Sequence, residues 1–297
     1  MPETAAGGYN HPVTQARNGR WVIAAAAGLL AAALWLRTDA VAALGVASAA
    51  AVAVAVLTWQ WRRTAASLAC AVLLVAVSAA GWVDVGQRSR LATPAGADAT
   101  RLAMAERATV VMAERLSAEG ATLQALAAAA LRAPAEPDRA FDALERLRGR
   151  EPARAVALAR GGSLVAWAGR YLAPVDSLPG PVGAVGTEFH LVLYAVAGEG
   201  PSRAVAMSLV HAVAPAASLA DALDEPLAND FDVAGFEYAR PRGAGADTGK
   251  VVTVAGSPVL VVKAIPPGAP ELRQHLAERA RERGVLLLAV ALACFLG

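Results

Sequence analysis

Three apolar runs without a single charge open the chain: Trp21–Leu36, Ala40–Trp59 and Ala65–Val83. Short polar breaks separate them, Arg37-Thr38-Asp39 and then Gln60 to Thr64 with Arg62 and Arg63. Runs of this length predict membrane spans joined as helical hairpins. Trp21, Trp35, Trp59, Trp61 and Trp82 stand at or beside the run ends, where indole favours the headgroup region. A fourth apolar run, Gly284–Gly297, follows the charged helical stretch Glu271–Arg283 and covers ~21 Å at ~1.5 Å per residue. It reads as a span cut short. A buried, Ala-rich bundle in a soluble protein would give similar runs, but three in succession favour the bilayer.

Between these ends the pattern alternates differently. A long helix is expected over Ala99–Leu131, capped by Asp98, with Leu102, Val110, Leu116, Leu123, Leu126 and Ala130 on one face and an interruption at Gly120, a kink or a frayed turn. Pro134 and Pro137 end it, and a second helix is expected over Asp138–Arg148 with Asp138 as its cap. Short strands follow. Ala153–Arg160 and Ser163–Ala168 flank Gly161-Gly162, a hairpin signal. Glu188–Val196 pairs with Arg203–Val213, and Lys250–Ala255 with Pro258–Ile265 across Gly256-Ser257. A short helix is expected near Ala217–Leu227 and a weaker strand over Phe231–Tyr238.

The expected fold class is therefore membrane α-helical, three N-terminal spans plus a truncated fourth, carrying an α+β domain of mostly antiparallel sheet flanked by helices. The division reads as a disordered tail over 1–20, three spans over 21–83, the α+β domain over 84–283 and the last span over 284–297.

Composition agrees with a lipid partner: 56% of the 297 residues are hydrophobic, 18% are charged and the mean hydropathy is +0.44. A net charge of +2 gives no case for nucleic acid. Lys250 and Lys263 are the two lysines among 27 basic residues, a bias of coding rather than chemistry. Arg17, Arg20, Arg62 and Arg63 mark one side of the membrane as cytoplasmic, which places residues 84–283 outside the cell's inner (plasma) membrane. Arg88, Arg90, Arg279, Arg281 and Arg283 pull the other way. Cys70 and Cys294, each in an apolar run, build no disulfide framework.

Candidate chemistry is sparse. Asp247-Thr248-Gly249 repeats an aspartic-protease motif, but the preceding Arg242–Ala246 is a loop rather than a hydrophobic strand. Gly249-Lys250 lacks the rest of a phosphate loop. Asp221, Asp224, Glu225, Asp230 and Asp232 are crowded, without calcium-loop spacing, and read as a solvated helix end. No metal spacing links the four histidines, and no catalytic residue, metal or cofactor is signalled. The small-molecule candidate is Trp167-Ala168-Gly169-Arg170-Tyr171, where a guanidinium could clamp a carboxylate between aromatic walls. His190, which shares a strand face with Tyr194, and His211 are further candidates for a pocket lining; satisfied structural histidines are the competing reading.

Spans, a long following helix, a hairpin-rich domain and a helix feeding another apolar run together resemble the input half of bacterial transmembrane sensor histidine kinases with extracytoplasmic PAS-like or Cache-like domains. The hairpin Val156–Leu158, Gly161-Gly162, Leu164–Trp167 with Gly169-Arg170 is similar to a central hairpin of such sensors. The resemblance implies a signal-input module in a two-component system, a small-molecule ligand and a homodimer. No phospho-accepting histidine box or ATP lid is present, so any kinase activity would lie beyond residue 297 and this chain is expected not to be an enzyme. A membrane-anchored envelope enzyme and an assembly or transport accessory protein are the alternatives.

Overall fold

The computed structural model describes residues 13–60, 65–174, 177–213, 222–241 and 249–296. Arg62, Arg63, Asp221, the Arg242–Ala246 loop with Asp247 and Thr248, and the first twelve residues of the expected tail lie outside them. The elements in chain order are α1 (Val13–Thr38), α2 (Val41–Gln60), α3 (Ala65–Leu91), α4 (Pro94–Ala130), α5 (Pro137–Arg148), β1 (Arg154–Arg160), β2 (Ser163–Ala168), β3 (Val182–Gly186), β4 (His190–Ala197), β5 (Ser202–Ala212), α6 (Asp224–Phe231), β6 (Gly235–Ala239), β7 (Lys250–Val254), β8 (Ser257–Ile265) and α7 (Ala269–Leu296). They form two compact units, Met1–Ala97 with Ala269–Gly297, and Asp98–Gly268.

The first unit packs α1, α2, α3 and α7 together. Leu29, Trp35, Leu44, Val54, Leu74, Val77 and Ala291 are buried among them. The α1–α2 turn closes at Asp39, whose left-handed backbone (φ 56°) lets its N–H return to the Trp35 carbonyl at 2.7 Å. The outward faces are also apolar: Ile23, Leu30, Val52, Val72, Val83 and Leu286 are all more than half exposed.

The expected array of three spans and a truncated fourth is overturned by the apolar stretches that the described residues form. Among the described residues one helix, Ala71–Leu91, is long and apolar enough to cross a membrane. The described apolar stretches within α1 and α2, Val22–Thr38 and Val41–Leu57, are shorter, and at ~1.5 Å per residue neither stretch alone covers a hydrocarbon layer ~30 Å thick. The apolar part of α7, Gly284 to Leu296, is shorter still. A core helix of a soluble protein also meets the length criterion, so Ala71–Leu91 alone does not place the chain in a bilayer. What the described residues form is seven helices and two antiparallel sheets.

The second unit holds both sheets, a five-stranded one in the order β2-β1-β5-β4-β3 and a three-stranded one in the order β6-β8-β7. Gly161 and Gly162, both at positive φ (60° and 78°), make the two-residue turn that pairs Arg160 with Ser163. The core takes Met112, Leu116 and Leu123 from α4, Leu144 from α5, and Val156, Leu158, Leu193, Val205 and Met207 from the large sheet.

Several expectations for this unit change. Leu102 and Val110 face outward, while Ala105, Ala108 and Met112 are buried, because an Ala-rich helix offers more than one plausible apolar face. Helix α4 runs unbroken through Gly120. This glycine admits the small sheet: a Cβ there would lie 2.2 Å from Val254 Cγ2. At the start of α5, Glu136 rather than Asp138 holds the cap position, with Pro137 following it, and no side chain closes the cap. Of the helix expected near Ala217–Leu227, the part up to Asp221 lies outside the described residues, and a helix is observed over Asp224–Phe231.

Candidate functional site

The six residues proposed from sequence do not form one site. Trp167, on the sheet's edge strand β2, is 45% exposed and meets Phe141 of α5 edge-on at 5.1 Å. Arg170 and Tyr171 are half-buried just beyond the strand end, and Tyr171 packs on the core. Tyr194 is wholly buried and donates its hydroxyl to the Pro179 carbonyl at 2.7 Å. Its ring crosses Gly183 of β3, where a Cβ would lie 2.6 Å from the phenol oxygen. Burial pushes this phenol above its ordinary range. His190 closes a turn, its Nδ1 at 3.2 Å from Thr187 Oγ1 and its N–H donating to the same oxygen.

His211 is the one that reaches partners suited to a site. Its Nδ1 is 2.6 Å from Asp224 Oδ2, at the start of α6, and the Tyr238 hydroxyl of β6 donates to that same oxygen at 3.2 Å. The His211 and Tyr238 rings are 5.7 Å apart. One carboxylate oxygen thus joins β5 of the large sheet, α6 and β6 of the small sheet. Asp224 is 6% exposed. Burial pushes its carboxyl above the ordinary carboxylate range, opposed by His211 and by the Tyr238 hydroxyl. Burial and the Asp224 charge together push the Tyr238 phenol far up, so it stays a donor. Asp224 belongs to the acidic cluster expected to be solvated; it and Asp232 are buried instead, because α6 folds that end of the cluster inward. A strand histidine needing a partner, upstream of a helix-starting Asp, is the faint signal that could have found the pair.

Beside this cluster a cavity of about 260 Å³ opens between β3, β6 and β8. Thr187, Leu191, Tyr238, Arg240 and Leu260 are among its lining. Leu191 pairs directly with His211 across β4 and β5, so the two side chains share the sheet face that looks toward it. Arg240 brings a cation, Thr187 and Tyr238 bring hydroxyl groups, and Leu191 and Leu260 bring apolar wall. That set suits a small organic anion. Among the described residues the His211 ring bonds to the Asp224 carboxylate and not to a serine, threonine or cysteine.

No family model, curated protein or solved structure matches the chain.

Proposed function

We propose that this chain is a signal-input module of a lipid-associated receptor, of the sensor histidine kinase kind its layout resembles, and that the cavity beside Tyr238 takes a small organic anion. The observation that carries the reading is that α4 is bonded to both sheets that frame the cavity. Glu119 holds Arg154 of the large sheet, and Thr109 Oγ1 accepts the Ala264 N–H of the small one at 2.9 Å. A ligand wedged between β3 and β8 changes the spacing of the sheets, and α4 must follow because both hold it. The chain enters this unit through α4 and leaves it after β8, so a shift there has a covalent route onward. The lipid part of the reading rests on the exposed apolar side chains that α1, α2, α3 and α7 all carry, among them Ile23, Leu30, Val52, Val72 and Leu286.

Screening a panel of small carboxylates by thermal shift on the full chain, followed by hydrogen exchange with any stabilising compound, tests the relay. The expected result is slowed exchange in Val182–Gly186, in Gly235–Ala239 and, together with them, in α4 between Thr109 and Gly120. Protection confined to the strands overturns the relay. A panel without a stabiliser overturns the anion assignment.

A further inference from the structure

The helical unit carries its own charged cavity, separate from the one described above. It measures about 380 Å³ and lies between the end of α3 and the start of α7. Leu91, Ala92, Leu276 and Ala277 give it apolar walls, and Asp84, Gln87, Arg88 and Arg273 give it polar ones. The charges are not balanced equally. Arg88 is paired with two carboxylates, Nη1 at 2.9 Å from Asp39 and Nη2 at 2.7 Å from Asp84. Asp39 is shared with Arg281 at 3.1 Å. Asp84 is 5% exposed and held by Arg88, so it presents little bare negative charge to the cavity. Arg273 differs: its Nη2 donates to the Leu91 carbonyl at 3.1 Å, and among the described residues no carboxylate pairs with it.

An unmatched guanidinium with an amide beside it and leucine walls around it suits an anion that carries an apolar body. A free anion would satisfy Arg273 and waste the walls. The cavity's two helices also carry exposed apolar side chains, Val83 on α3 and Val285 and Leu286 on α7. We propose that this cavity is a specific site for the phosphate headgroup of an anionic phospholipid, with Arg273 as the recognising cation and Gln87 as a second donor. The proposal rests on the lipid association given under Proposed function.

Flotation of the full chain with phosphatidylcholine vesicles separates the two claims. A chain that stays at the bottom overturns the lipid association and the site with it. The site itself is read by native mass spectrometry of the full chain in detergent, titrated with phosphatidylglycerol, phosphatidylcholine or inorganic phosphate. The expected result is one retained phosphatidylglycerol, preferred about fivefold or more over phosphatidylcholine, since one basic residue near an anionic surface contributes about that factor. Arg273→Gln removes the preference, Arg273→Lys keeps most of it, and Arg283→Gln on the same helix leaves it unchanged. Equal retention of both lipids overturns the site, as does equal loss in Arg273→Gln and Arg283→Gln, which would mark unspecific attraction. Inorganic phosphate bound through Arg273 without phosphatidylglycerol retention also overturns it, in favour of a free anion.

Discussion

Glu119 of α4 and Arg154 of β1 meet in a two-pronged ion pair, Nε to Oε1 and Nη2 to Oε2, each at 2.7 Å. The Glu119 side chain is 8% exposed and that of Arg154 24%. The hydrogen bonds to Glu119 raise the Arg154 guanidinium above its ordinary value, against the opposing effect of burial. Removing one partner leaves the other charged and poorly hydrated. Glu119→Ala and Arg154→Ala should each cost about 2–4 kcal/mol. The double replacement Glu119→Leu with Arg154→Met should cost much less than their sum. Hydrogen exchange of the β1 amides measures both, and additive losses would show that the pair is not coupled.

One residue further along, Gly120 lies against Val254 of β7. Gly→Ala inside a helix ordinarily stabilises by ~0.5–1 kcal/mol. Here the added methyl has no room, and Gly120→Ala should destabilise by about 1–3 kcal/mol. Combining it with Val254→Ala should recover a good part of that loss. A stabilised Gly120→Ala in a thermal melt would show that the small sheet does not press on α4 at this point.

Asp224 sets a pH dependence whose sign can be worked out. Its folded carboxyl titrates above the unfolded value of ~3.9, chiefly because it is buried. Between those two values the folded chain binds the extra proton, so stability rises as pH falls through the folded value and levels off near pH ~3.9. Its contribution is lost as pH rises through the folded value. Asp224→Asn should abolish this segment of the pH–stability profile. Measuring both proteins from neutral pH down to about 4 checks it; parallel profiles would sink the assignment.

Tyr194 and Arg240 separate structure from recognition. Tyr194→Phe strands the Pro179 carbonyl and should cost about 1 kcal/mol while leaving the carboxylate response intact. Arg240→Gln, at the exposed cavity rim, should do the reverse: unchanged melting and no ligand shift. A ligand response lost in Tyr194→Phe and kept in Arg240→Gln would move the site to the other face of β4.

Local signals carried much of the second unit. The β1–β2 and β7–β8 hairpins are legible because turn conformation and side-chain alternation reside in contiguous residues: Gly161-Gly162 closes one, and Gly256, at φ 78°, helps close the other. Strand β3 was not legible, since Val182–Gly186 carries two glycines and is a strand because β4 pairs with it. Of the expected spans, only Ala71–Leu91 is long and apolar enough among the described residues, because run length alone does not separate a membrane helix from the apolar helix of a packed bundle.

The amino-acid order alone determined where the helices and most hairpins lie, through apolar period, turn glycines and proline breaks. It could not say which face of the alanine-rich α4 is buried, because small side chains make several faces equivalent until a sheet selects one. Nor could it show that Glu119 answers Arg154, that Gly120 makes room for Val254, or that Asp224 joins His211 to Tyr238. Those relations link residues far apart in the chain, and folding alone makes them neighbours. Burial then gives them their energetic weight, because a charge or hydroxyl withdrawn from water depends on the partner that the fold supplies.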